Sequence, residues 1–307
     1  MRLNYKILWI ENETEWLESA IEFPKEVVED AGFEFVYERI SREQEIDELL
    51  SQPEPLKDFD LILVDFNLDS GDRGNVIINK IRDHDIYTDV IFYSQDIEGI
   101  RNVLKAEWID GVYHTSRNRG DFEDKFEKVF LSTIKKIQHI SAIRGLVLSS
   151  TSELDNVIDD ITEAFCDKNK DEGKDLIKYL VKKIKDSAKG NNNKAGGLNY
   201  DTLSIVELNK LRIYDADKRK LAIGKILEFL GDEKLGTKEK FNTSYKEEVL
   251  DVRNELAHSK EIEVEGKPVL RTNNGGKNFD EASCVEIRKN LKKHLKNLNE
   301  VKVYLNN

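Results

Sequence analysis

Short apolar runs alternate with amphipathic stretches over the first 120 residues of the chain, and the alternation stops there. Runs at 5–10, 33–37, 61–64, 90–93 and 111–113 have strand length, while apolar residues recur every three or four positions at 16–30, 43–51, 74–82, 98–107 and from 122 onward. Strands and helices in strict alternation predict five βα units. Such units form a doubly wound parallel sheet with its site at the carboxyl ends of the strands. Polar residues fall at those ends: Glu11, Asn12 and Glu13 follow the first run, Asp65 the third and Ser94 the fourth.

From Phe122 to Leu148 the residues Phe126, Val129, Phe130, Ile134, Ile137, Ile140 and Ile143 keep a helical period, so one helix is expected to leave the first domain and continue toward a second. Helical periodicity then dominates at 151–166, 172–188, 201–212, 215–230, 238–258 and 280–304. Breaks are expected at 190–197, 231–236 and 273–276, and Asn191–Gly197 reads as a mobile loop. Alternation over 261–272, around Glu265-Gly266-Lys267, predicts a small hairpin before the last helix. The expected architecture is α/β followed by all-α: 1–121, a connecting helix over 122–147, and a helical domain over 148–307.

Charge divides along the same line. Residues 1–120 hold 13 Lys and Arg against 27 Asp and Glu, so the net −12 of the chain belongs to its first part and the remainder is close to neutral. An acidic first domain is a poor surface for a polyanion. The second part carries a candidate basic patch in Arg288, Lys289, Lys292, Lys293 and Lys296, which also reads as the solvated face of the last helix. Cys166 and Cys284 lack C-x-x-C or zinc-ligand spacing and read as reduced thiols. No apolar run approaches the roughly 18 residues that span a bilayer, and the N-terminus runs straight into a strand pattern. The expectation is a soluble cytoplasmic protein.

Candidate chemistry in the helical part centres on Val252-Arg253-Asn254-Glu255-Leu256-Ala257-His258. At roughly 100° per residue, Val249, Val252 and Leu256 form one stripe and Arg253 projects into its arc. A guanidinium there needs a carboxylate, a partner chain or a phosphate. Asn254 and His258 are i, i+4 neighbours, so Asn254 is placed to orient His258, whereas Arg253 must reach it by its length or across an interface. Glu153 and Asp155 are candidate partners for Arg253. They also read as first-turn acids behind Ser152.

Over residues 4–120 the chain resembles a response-regulator receiver domain, carried by Ile7-Leu8-Trp9-Ile10-Glu11-Asn12-Glu13, by Leu61-Ile62-Leu63-Val64-Asp65-Phe66-Asn67-Leu68 and by Ile91-Phe92-Tyr93-Ser94. The resemblance implies that Asp65 accepts a phosphoryl group in a phosphorelay, that Glu11, Asn12, Asp65 and the Asn67 carbonyl hold Mg²⁺, and that Ser94 contacts the phosphoryl oxygens. It also implies a histidine kinase or other signalling protein as partner. Two departures stand out. Glu11 and Asn12 replace a pair of aspartates, and Thr115 falls where the family places a lysine, with His114 or Arg117 as candidate substitutes. The alternative is a pseudo-receiver used for docking.

Arg253-Asn254-x-x-x-His258 in a late helix of a helical domain resembles the Arg-polar-x-x-x-His motif of HEPN domains, over roughly 145–305. The resemblance implies a metal-independent endoribonuclease acting on RNA as a homodimer, in stress or phage defence. Arg253 would hold the scissile phosphate, His258 would transfer protons, and Asn254 would position His258. The combined expectation is a receiver-controlled ribonuclease. Its rival is a non-catalytic signalling adaptor that binds RNA or protein.

Overall fold

In the computed structural model the described residues are 3–68, 73–134, 140–187, 198–264, 267–272 and 277–306. The chain divides into two compact units, residues 2–139 and 140–307. The expected loop 191–197, the break at 273–276 and the hairpin tip at Glu265-Gly266 lie outside the described residues, as does the stretch 135–139 of the expected connecting helix.

The first unit runs β1 (Asn4–Ile10), α1 (Thr14–Ala20), α2 (Glu22–Asp30), β2 (Glu34–Ile40), α3 (Glu43–Leu50), β3 (Leu61–Asp65), α4 (Gly74–Asp83), β4 (Val90–Ser94), α5 (Ile97–Glu107), β5 (Val112–Ser116) and α6 (Arg119–Ile134). The five strands pair in parallel in the order β2-β1-β3-β4-β5, the flavodoxin-like order of a doubly wound sheet. Side-chain alternation sorts the core into two layers. Leu8, Ile10, Ile62, Val64 and Phe92 face α3, α4 and α5, whereas Tyr5, Ile7, Trp9, Leu63, Ile91 and Tyr93 face α1, α2 and α6. Phe122, Phe126, Val129 and Phe130 bury α6 in this second layer.

The expected helix 16–30 is two helices meeting at Ile21. Pro24, which lacks an N–H, sits in the first turn of α2, where no intrahelical donor is needed. The fifth strand is longer than its apolar run suggests. His114, Thr115 and Ser116 continue it opposite Phe92, Tyr93 and Ser94.

The second unit runs α7 (Ile140–Lys168), α8 (Lys170–Ser187), α9 (Ile205–Asn209), α10 (Ala216–Leu230), α11 (Lys238–Tyr245), a π-helical segment (Lys246–Leu250), α12 (Asp251–Ala257), strands β6 (Ser259–Val264), β7 (Lys267–Thr272) and β8 (Asn278–Phe279), and α13 (Glu281–Asn306). Leu154, Ile158, Ile161 and Phe165 of α7 and Leu291, Leu298, Val301 and Leu305 of α13 are buried, and these two long helices pack on one another. The alternation at 261–272 forms an antiparallel pair, and β8 adds a third strand. Asp159 of α7 holds Arg219 of α10 through two 2.8 Å hydrogen bonds. Where a continuous helix over 238–258 is expected, the π segment interrupts the α-helical register and α12 ends at Ala257.

Candidate functional sites at the sheet edge and on α12

Register alone assembles the first site. Ile10 lies opposite Val64 and Asp65 opposite Tyr93, so the residues just beyond β1, β3 and β4 converge at the carboxyl edge of the sheet. Glu11, Asp65 and Ser94 are all there, each at most 1% exposed. Two backbone features shape the pocket. Arg39 of β2 donates to the carbonyls of Glu11 (2.9 Å) and Asn12 (2.8 Å), fixing the loop after β1. Gly74 opens α4 so close to β3 that a Cβ there would sit 2.2 Å from the Asp65 carbonyl oxygen.

The carboxylates share one cation. Arg117, the residue after β5, places Nη2 3.1 Å from Glu11 Oε2 and Nη1 2.9 Å from Glu13 Oε1 and 3.4 Å from Asp65 Oδ2. Its backbone N–H donates to the Ser94 carbonyl at 2.8 Å, and its guanidinium lies 5.0 Å from the Trp16 ring. The fifth strand, expected to end at Tyr113, ends at Ser116. Thr115 belongs to β5 and donates its hydroxyl to the Asp121 carbonyl at 2.9 Å, and the cation after the strand is Arg117. His114 does not stand in for it. Burial and the nearby Lys125 and Arg101 push its pKa down, which places it among other charges.

Burial raises the Asp65 carboxyl from 3.8 to about 7; Glu11 adds to the rise, and Arg117 with the Asn67 and Phe66 backbone N–H groups opposes it. Glu11 is raised too, chiefly by burial. Both its oxygens are engaged: Oε1 accepts the Glu13 N–H at 2.8 Å, and Oε2 accepts the Tyr93 hydroxyl at 2.9 Å and Arg117. Tyr93 in turn accepts the Trp9 indole N–H at 2.8 Å. Ser94 Oγ accepts the Asp96 N–H at 3.0 Å and the Asn67 side-chain amide at 3.4 Å.

This donor set does not fit Mg²⁺ as it stands. Mg²⁺ demands near-octahedral oxygen ligation, yet Glu11 has no free oxygen and a guanidinium already lies against both buried carboxylates. Among the described residues no group of three His, Cys, Asp or Glu side chains could hold a metal. Two oxygens, Asp65 Oδ2 and Asn12 Oδ1, are buried without a hydrogen-bond partner.

The second site lies on α12. Val252 and Leu256 are buried as the stripe predicts, Arg253 is half-buried, and Asn254 and His258 are exposed. Burial raises the pKa of Asp155 of α7, and the charges of Arg219 and Arg253 oppose that rise. Ser152, Glu153 and Asp155 lie inside α7, not in a first turn, because that helix starts at Ile140. Glu153 is exposed. His258 leaves the helix with φ −110° and ψ 11°, and Asn254 Oδ1 accepts from Arg253 at 3.4 Å.

Sequence reasoning missed a neighbouring pair. His294 of α13 is 1% exposed, packs edge-on against Tyr245 and meets Glu248 of the π segment at 2.8 Å through Nε2. The basic patch on α13 is smaller than expected, since Arg288 is buried and Lys293 is paired with Glu248. Cys166 and Cys284 are free thiols, each pushed up to about 11 by burial. No helix among the described residues is long and apolar enough to cross a membrane.

No protein-family model matches the chain, and no curated protein matches it. Among solved structures it is similar to the crystal structure of the phosphorylated cyanobacterial phytochrome response regulator RcpA, at 16% identity, over 43% of this chain and 96% of that one, with a TM-score of 0.35.

Proposed function

We propose that the chain is a signalling regulator in which a receiver-like unit governs a helical output unit that cleaves RNA. The observation that carries the first half is the convergence of Glu11, Asp65, Asn67 and Ser94 at the carboxyl ends of three adjacent parallel strands. In this reading Asp65 is the acceptor of a phosphoryl group delivered by a histidine kinase or another donor. Ser94 and the Asn67 amide then contact its oxygens.

The second half rests on α12. Arg253 keeps a permanent charge at a half-buried position, and His258 stands exposed where the helix ends. In the proposed step the ribose 2'-hydroxyl gives its proton to His258 and its oxygen attacks the adjacent phosphorus. The 5'-oxygen leaves with a proton taken from the surrounding water, and a 2',3'-cyclic phosphate remains. Arg253 holds the phosphoryl oxygens as charge develops on them. No metal is required, and a second copy of the chain supplies the other wall of the cleft. Purified protein incubated with RNA is expected to cleave it, and His258→Ala is expected to slow cleavage roughly 100-fold or more with an unchanged circular dichroism spectrum. Equal cleavage by the variant would sink the assignment.

The rival reading is a non-catalytic adaptor, favoured by the electrostatic attraction between Arg253 and Asp155 within one chain. It predicts that wild-type protein leaves RNA intact and that Arg253→Ala lowers thermal stability and nothing else.

A further inference from the structure

Between α10, α11 and α13 the helical unit holds a cavity of about 500 Å³, within the roughly 300–1,000 Å³ that small-molecule sites occupy. Its inner wall is aliphatic: Ile223 and Leu227 come from α10 and Leu298 and Val301 from α13, each at most 4% exposed. Toward solvent the lining turns cationic. Lys234, Lys240 and Lys293 are exposed there and come from three separate elements, the turn before α11, α11 itself and α13. Glu248 of the π segment is matched by Lys293 and His294, which leaves Glu300 as the other carboxylate of the lining. Among the described residues neither Lys234 nor Lys240 has a carboxylate at ion-pair distance.

We infer that this cavity binds a small organic acid with an aliphatic body, its carboxylate held by Lys234 and Lys240 and its chain laid against the inner wall. Each end of such a molecule answers a different part of the lining. The carboxylate neutralises ammonium groups that otherwise repel one another, and the chain takes apolar surface out of water. A neutral apolar molecule would leave the lysines unmatched, and a bare anion would leave the aliphatic wall wet. A nucleobase would set its polar edge against Ile223, Leu227, Leu298 and Val301, which offer its donors and acceptors no side-chain partner. The inference rests on this cavity alone, and neither phosphoryl transfer nor RNA cleavage plays a part in it.

Isothermal titration of sodium octanoate into the full chain tests it. Wild type is expected to bind octanoate, to bind the neutral octanamide at least roughly tenfold more weakly, and to show no heat of binding with sodium acetate. Changing Lys234→Ala and Lys240→Ala together is expected to weaken octanoate binding at least roughly tenfold. Asn297→Trp, at an exposed position of α13 that lines the cavity, is expected to block it. All three positions are exposed, so the variants are expected to keep the wild-type circular dichroism spectrum. No octanoate binding by wild type, equal affinity for octanamide, equal affinity in the double lysine variant, or binding that survives Asn297→Trp would each overturn the inference. None of these outcomes touches the His258 experiment, so the two readings fail separately.

Discussion

Asp65 combines a buried position with a proton that a surface aspartate would have lost. Its carboxyl titrates near 7 in the folded chain against 3.8 ordinarily, so between those values the folded state holds a proton that the unfolded state releases. The stability this contributes is complete below about pH 4 and is lost as pH rises through 7. Asp65→Asn keeps the neutral shape at every pH. Urea melts should therefore show the variant gaining on wild type by roughly 2–4 kcal/mol between about pH 4 and pH 8. A difference that stays flat with pH would count against the raised pKa. The sequence exposes Asp65, Glu11 and Ser94 because each ends an apolar run. Arg117 hides because β5 continues through the polar residues His114, Thr115 and Ser116, which moves the strand end past its last apolar residue. Tyr93 hides for the opposite reason: inside an apolar run it reads as core, and only the fold shows its hydroxyl on Glu11.

At the scale of elements, the parallel sheet is legible because strands buried on both faces are nearly continuous apolar runs. The contact between α4 and β3 depends on one missing side chain. A Cβ at Gly74 would meet the Asp65 carbonyl oxygen at 2.2 Å, Phe92 at 2.7 Å and Val64 at 2.8 Å, so α4 cannot stay where it is with any other residue there. Gly74→Ala is expected to cost on the order of 2–3 kcal/mol in chemical denaturation, and a loss under about 0.5 kcal/mol would contradict the packing. The π segment was invisible for a periodic reason. Val249, Val252 and Leu256 fit a 3.6-residue stripe, and a local widening of one turn leaves that stripe almost intact while it alters the register of the residues around it. Glu248 in that turn meets a histidine on α13, a partner 46 positions away that no local pattern announces.

For the molecule as a whole, charge separates the roles. The first 120 residues carry a net −14, so a polyanion finds its favourable surface on the helical unit. Because the proposed cleft needs α12 from two copies, total cleavage should fall with dilution more steeply than in proportion to concentration, in step with dissociation followed by light scattering. Activity proportional to concentration in a monomeric range would remove the second copy from the mechanism. The two-domain organisation is legible in composition and periodicity. The catalytic reading of α12 is less so, since six residues announce Arg253 and His258 but not the Asp155 carboxylate on another helix whose charge Arg253 offsets.

The arrangement around Arg117 also gives the native chain an optical handle. Trp16 lies against the guanidinium and Trp9 is tied through Tyr93 to Glu11, whereas Trp108 is 88% exposed and elsewhere. Two indoles thus see the pocket and the third serves as an internal reference. A change in how the carboxylates are neutralised is written into the emission of the unlabelled protein, and stopped-flow mixing can follow it in real time.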